Sequence, residues 1–141
     1  MDATYTCLML RHRHRVLVID DDPSLREALE TIFRMEGYAV ATAREGQQAI
    51  ERLRGGLEPC VILLDLAMPV KDGWQFRREQ MRDANLAHIP VIVCSGMDDA
   101  DTRVPGLGVD YYLRKPIAFD QVLSLVERYC EVESGRAPAV R

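Results

Sequence analysis

No paired cysteine motif punctuates this sequence. Its four cysteines, Cys7, Cys60, Cys94 and Cys130, form no CxxC pair, and no histidine lies at zinc-ligand spacing from two of them. That excludes a sequence-encoded zinc module or disulfide framework. Cys60 and Cys94 sit in or beside apolar runs, where a thiol behaves as a small hydrophobe. Reduced, buried cysteines in a cytoplasmic protein are therefore expected. Long apolar runs are missing too: nothing approaches the ~18 residues of a membrane span. The stretch Cys7–Leu10 is too short for a signal peptide and is followed by basic residues. Positive charge is in deficit, with 18 Lys and Arg against 22 Asp and Glu, a net charge of −4. No chain-wide case for nucleic-acid binding remains. The basic run Arg11 to Arg15 reads as part of a solvated leader. No internal repeat is visible.

What is present fits one folded unit. At 141 residues, 48% hydrophobic and 28% charged, the chain is neither disordered nor long enough for two ordinary domains. A chain of this size buries about two-thirds of its unfolded surface, so it needs no covalent staple. The length also leaves no room for a catalytic domain plus a second module.

Val16–Ile19 is an unbroken apolar run, β-branched at three of four positions, ending in Asp20-Asp21-Asp22. It predicts a strand buried on both faces. Pro23 suits the first turn of a helix capped by Asp22, with Leu25, Ala28, Leu29, Ile32 and Phe33 at helical spacing and Gly37 as the stop. A strand over Tyr38–Thr42 and a helix from Arg44 to Arg54 follow. Val61–Leu64 is the most apolar run and again ends in a carboxylate, Asp65. Residues 73–82 predict a helix, Pro90–Cys94 a strand ending at Ser95, and Tyr111–Leu113 a strand ending near Lys115-Pro116. The last helix carries Phe119, Val122, Leu123, Val126 and Cys130 as an inward stripe. Between Ser95 and Tyr111, Pro105 and the glycines weaken helix, and about one turn starting near Asp99 is expected. Strands alternating with helices predict an α/β parallel sheet with right-handed crossovers.

In such sheets ligands bind outside the carboxyl ends of the strands. Those ends here carry Asp20 and Asp21, Asp65, Ser95 and Lys115. Each alone could be a cap or turn residue, but five at one rim point to a site. Two carboxylates ~4 Å apart repel by about 4 kcal/mol at an effective dielectric near 20. Lys115 alone does not balance three of them, so the rim calls for a hard divalent cation with oxygen ligands, best Mg²⁺. Asp65 can act as a nucleophile toward a phosphoryl group, with Lys115 and the Ser95 hydroxyl available to phosphoryl oxygens. Met68 and Trp74 read as packing residues, Asp72 as a turn residue, and His12, His14 and His88 as surface residues.

The stretches VLVIDDDPSLREAL, VILLDLAMPVKDGW, PVIVCSG and DYYLRKPI together resemble the receiver domain of bacterial two-component response regulators. The likeness covers residues 15–131, leaving a leader over 1–14 and a tail over 132–141. Asp65 stands 30 residues before Ser95 and 50 before Lys115. The resemblance implies a doubly wound (βα)5, flavodoxin-like three-layer sandwich with parallel sheet order 2-1-3-4-5. It implies Asp65 as phosphoacceptor, and Asp20, Asp21, Asp65 and the Ala67 backbone carbonyl as Mg²⁺ ligands. Ser95 and Tyr112 become the switch pair, Lys115 the phosphate-binding lysine, and Lys115–Pro116 a cis peptide. It further implies a histidine kinase or phosphotransfer protein as donor, a downstream protein target, and no enzyme activity beyond self-phosphorylation and self-dephosphorylation. The 20-residue span from Ser95 to Lys115 and the Pro105-Gly106 break imply a shortened fourth helix. That helix commonly belongs to the family's reporting face, so a monomer or weak dimer is expected. The small Ala67 and Gly96 predict an open pocket entrance. Two other functions are conceivable. An aspartyl-phosphate phosphatase would need a carboxylate where Ala67 stands, and a binding-only scaffold would not need the full residue set.

Overall fold

The computed structural model describes residues 14–96 and 104–133. Asp99, Cys7, His12, most of the leader and nearly all of the tail lie outside them. The described chain runs β1 (Arg15–Ile19), α1 (Pro23–Met35), β2 (Ala39–Ala43), α2 (Gly46–Arg54), β3 (Val61–Leu64), α3 (Gly73–Arg82), β4 (Val91–Ser95), a 3-10 turn (Val104–Leu107), β5 (Tyr111–Arg114) and α4 (Phe119–Glu133). All strand pairs are parallel, in the order β2-β1-β3-β4-β5. This is the predicted flavodoxin-like sheet. Among the described residues, the crossover from β4 to β5 holds only the 3-10 turn, with Pro105 as its second residue.

Strand alternation builds two cores from one sequence. Leu17, Ile19, Ile62, Leu64, Val91 and Val93 point to one face, where α2 and α3 supply Ala49, Ile50, Leu53, Trp74 and Phe76. Val16, Val18, Val61, Leu63, Ile92 and Leu113 point to the other, against Leu29 and Phe33 of α1 and Val122, Leu125 and Val126 of α4. That two-sided burial is why the strand sequences are unbroken apolar runs rather than alternating ones. Met68 packs against the first core, as expected.

Caps set the helix starts. Asp22 accepts from Ser24 N and Leu25 N with Pro23 at the first helical position. Asp72, read as a turn residue, makes a reciprocal capping box with Gln75. The second helix begins two residues later than its apolar spacing predicts. Glu45 is its cap, buried and accepting from Gln47 N and Gln48 N at 2.9 and 2.8 Å. Tyr38 precedes β2 instead of opening it, and its ring meets Phe33 edge-on.

Three expectations need correction. Phe119 is exposed and Leu125 takes the inward place, because Phe119 is the first residue of α4 and faces an open groove. Cys60 and Cys130 are not free thiols: they form a disulfide with Cα atoms 5.2 Å apart. α4 runs antiparallel to the strands, so its last turns reach the edge where Cys60 precedes β3. His14 is not a plain surface residue, since it is half-buried beside that sulfur pair. Cys94 does remain a free, buried thiol, and burial pushes it up to about 12.

Sequence periodicity also misses a buried polar network. Arg77 is enclosed on α3 and donates to Leu107 O at 3.1 Å, Gly108 O at 2.7 Å and Gln80 Oε1 at 2.8 Å. Gln80 donates to Leu86 O and Ile89 O. One arginine thus ties the 3-10 turn to the sheet face, and through Gln80 to the lead-in of β4. Replacing Arg77 by Met leaves three acceptors without their charged donor. The expected cost is about 2–4 kcal/mol, read as a lower urea midpoint with an unchanged slope.

Candidate functional site

The chain order of the sheet reverses between β1 and β3, so the crevice beyond their carboxyl ends is the open position of the fold. Backbone pairing continues just past the strands and fixes the side chains there. Asp20 N donates to Ala43 O, Asp65 N to Ile19 O and Lys115 N to Ser95 O. Asp20, Asp65 and Ser95 are buried, Asp21 is exposed, and Lys115 is half-buried.

One carboxylate oxygen from each of Asp20, Asp21 and Asp65 lies within 4.8 Å of the others. Lys115 Nζ stands 2.7 Å from Asp20 Oδ2 and 3.5 Å from Asp65 Oδ2. Asp20 is anchored twice more: its Oδ1 accepts from Asp22 N at 2.9 Å, and its backbone carbonyl accepts from Arg26 at 2.7 Å. Ala67 N reaches Asp65 Oδ1 at 3.4 Å. Ala67 and Gly96 are exposed, which leaves the approach open. Tyr112 is half-buried in β5 beside Val93, on the same sheet face as Ser95. Lys115–Pro116 is cis. Of the residues singled out in the sequence, Asp20, Asp21, Asp65 and Lys115 meet directly, while Ser95 and Tyr112 line the neighbouring strands.

The electrostatics follow from crowding. Burial, then the charge on Asp20, push the Asp65 carboxyl up to about 6, against the pull of Lys115 and the Ala67 N–H. Burial alone would lower Lys115, but its hydrogen bond to Asp20 and the charges of Asp65 and Asp20 prevail and raise it. Asp20, Asp21 and Asp65 are an all-oxygen donor set with excess negative charge, which suits a hard divalent cation. A shallow groove of about 520 Å³, lined by Asp22, Leu25, Lys115, Pro116, Ile117 and Phe119, opens beside the cluster.

Gly73 is the residue that sequence reading undervalues. A Cβ there would fall 2.3 Å from Asp65 O and 2.7 Å from Leu66 Cα, both backbone atoms. Only glycine lets the start of α3 press against the Asp65 peptide. The Asp-Gly pair signals a turn in the sequence, and nothing local signals this contact across the site. In the loop just before it, Val70 holds φ at 65° and is largely exposed. That conformation is unfavourable for a β-branched side chain.

Two stability outcomes are expected. Val70→Gly raises stability by about 1 kcal/mol in thermal melts. Asp65→Asn stabilises the metal-free protein at pH 8 by on the order of 2 kcal/mol, since it removes a charge that the fold disfavours. A carboxyl raised in the fold binds its proton more tightly there than when unfolded. The wild type therefore gains stability as pH falls from about 6 to 3.8. The advantage of the Asn variant should shrink over that window and vanish below it, as melting temperatures against pH would show.

Comparison with known proteins agrees with the geometry. Residues 16–127 match the model of the response regulator receiver domain. Response regulator MprA of Mycobacterium ulcerans is 37% identical over 112 residues, covering 78% of this chain and 47% of that protein. The chain spans about half the length of the curated relatives it matches. The signal receiver domain of a Syntrophus aciditrophicus signal transduction histidine kinase superposes with a TM-score of 0.78 at 27% identity, over 91% of this chain and 97% of that one. The Thermotoga maritima response regulator TrrA, in complex with Mg²⁺–BeF, superposes at 0.73 with 26% identity, over 82% and 98% of the two chains. Five parallel strands in the order 2-1-3-4-5, a carboxylate cluster at their rim and these matches lead to one conclusion: the chain belongs to the response regulator receiver domain family.

Proposed function

We propose that Asp65 accepts a phosphoryl group from a phosphohistidine donor, a histidine kinase or a phosphotransfer protein. The observation that carries this reading is the convergence of Asp20, Asp21 and Asp65 with the Lys115 ammonium at the carboxyl rim of the sheet. A carboxylate oxygen of Asp65 attacks phosphorus, the donor's N–P bond breaks as the O–P bond forms, and the imidazole nitrogen left behind takes up a proton. Lys115 turns from Asp65 toward the incoming phosphoryl oxygens, and the Ser95 hydroxyl donates to another. Asp20, Asp21 and Asp65, with the Ala67 carbonyl, would hold Mg²⁺. The bound ion supplies charge compensation at the phosphoryl oxygens and favours the ionised form of Asp65.

Ser95 and Tyr112 form the switch. They sit on adjacent strands and on one face, so a Ser95 drawn toward the phosphoryl group vacates space that Tyr112 can enter. Phosphorylation then shifts a pre-existing equilibrium of the β4–β5 face, which a downstream protein reads. The groove at Leu25, Ile117 and Phe119 offers the donor an apolar footing beside Asp65. Residues 15–131 constitute the working unit, which acts in the cytoplasm as a monomer or weak dimer without contacting nucleic acid. It acts as a phosphoacceptor rather than a turnover enzyme. Ala67 supplies no second carboxylate for a phosphatase mechanism.

Incubation with acetyl phosphate and Mg²⁺ should add one phosphoryl group per chain by intact mass. Chelation or Asp65→Asn should abolish the addition. Lys115→Ala should leave Mg²⁺ binding, followed by melting temperature, largely intact while blocking the response of a partner. Label that persists in Asp65→Asn would overturn the assignment.

A further inference from the structure

The edge of the sheet opposite the acidic pocket holds a second cluster of ligand-type side chains. His14 opens the described chain just before β1, Cys60 stands just before β3, and Cys130 lies in the last turns of α4. A ring nitrogen of His14 and both sulfurs lie within 4.8 Å of one another. The five residues of β1 separate His14 from Asp20, six steps or roughly 20 Å at ~3.3 Å per residue, so this cluster and the carboxylate cluster are distinct.

We propose that His14, Cys60 and Cys130 form a redox-gated zinc site. The oxidised state is the disulfide. Resting on the cytoplasmic reading proposed above, the reduced state belongs to the working cycle, since disulfides in a reducing compartment are usually transient or redox-sensing. A dithiol reductant gives two electrons and two protons: the S–S bond breaks, Cys60 and Cys130 become thiols, and the reductant closes its own disulfide. Zn²⁺ then displaces both thiol protons to solvent and binds two thiolates and the neutral imidazole.

Three observations favour zinc over a plain thiol pair. Two sulfurs and an imidazole are a borderline-soft donor set that suits Zn²⁺ and disfavours Mg²⁺ or Ca²⁺. Ligand atoms around tetrahedral zinc stand about 3.6–3.8 Å apart, given Zn–S near 2.3 Å and Zn–N near 2.0 Å. The three ligand atoms, within 4.8 Å of one another, lie close to that scale, and the two sulfurs separate once the disulfide is reduced. Both cysteines are buried while His14 is half-exposed, so the ligands are fixed on one side and water can complete the fourth position on the other. The site is legible only in three dimensions, because its ligands come from 14, 60 and 130.

Cobalt(II) reports thiolate ligation directly. The full chain, reduced and kept anaerobic, is titrated with Co²⁺ alone and then with Zn²⁺. A near-ultraviolet thiolate-to-cobalt charge-transfer band should saturate at one Co²⁺ per chain and bleach when Zn²⁺ is added. The oxidised chain should give no band. Cys60→Ser and Cys130→Ser should each lose it while circular dichroism shows a folded protein. His14→Gln should weaken apparent affinity by about tenfold or more, since even outer-shell changes cost that much. No band in the reduced, folded wild type overturns the site. So does an undiminished band in Cys60→Ser, or unchanged affinity in His14→Gln.

Discussion

Lys115 stands 2.7 Å from one buried aspartate and 3.5 Å from another because a parallel sheet delivers every strand's carboxyl end to the same edge. No local preference would gather three carboxylates there. The topology does it, and repulsion of about 4 kcal/mol per close pair at an effective dielectric near 20 follows. Lys115 offsets part of that cost for Asp20 and Asp65, while Asp21 sheds its share into water. Asp65 remains raised to about 6, which measures how incompletely one ammonium answers the set. The pocket is therefore a place where stability is held below what the fold could reach, and where charged groups are held already oriented.

The surroundings keep that disfavoured arrangement from relaxing. Gly73 lets the α3 backbone sit against the Asp65 peptide. The Asp72–Gln75 box fixes where α3 begins, and Lys71 pairs with Glu79 one side further on. Arg77, deeper in the same helix, holds the 3-10 turn by two carbonyls. One helix thus fixes the Asp65 peptide at its start and the β4–β5 crossover further along. This supplies a rigid link between the site and the face that would report its state.

Much of this is written in the chain in readable form. Apolar runs that end in carboxylates, a Pro after Asp22 and a Gly after Asp72 mark strands, caps and turns, because those preferences act over a few residues. The acidic cluster is legible for a related reason: strand ends are local, and the parallel sheet aligns them. What escapes is whatever depends on distant partners. Arg77 carries no local signal of burial, and only its bonds to the packed crossover explain it. Phe119 keeps the spacing of an inward stripe yet stands exposed at the start of α4 on an open groove. Cys60 and Cys130 are 70 residues apart and meet only because α4 runs back along the second face.

β3 shows how the two edges of the molecule are related. It is four residues long, all buried, with Cys60 immediately before it and Asp65 immediately after it. Pairing to β1 and β4 on both sides holds its register. Sliding by one residue would exchange Ile62 and Leu64 with Val61 and Leu63 between the two cores. A covalent or coordinate tether from Cys60 to α4 therefore acts on a strand that has no soft direction of movement. The disulfide and the proposed metal both tie Cys60 to α4, the metal adding His14 just before β1, so exchanging one for the other would alter the chemistry at the amino edge without shifting Asp65 at the carboxyl edge. The proposed phosphoacceptor and the proposed metal site would then share a strand and still answer to different chemistry, one to phosphoryl donors and the other to thiol oxidation.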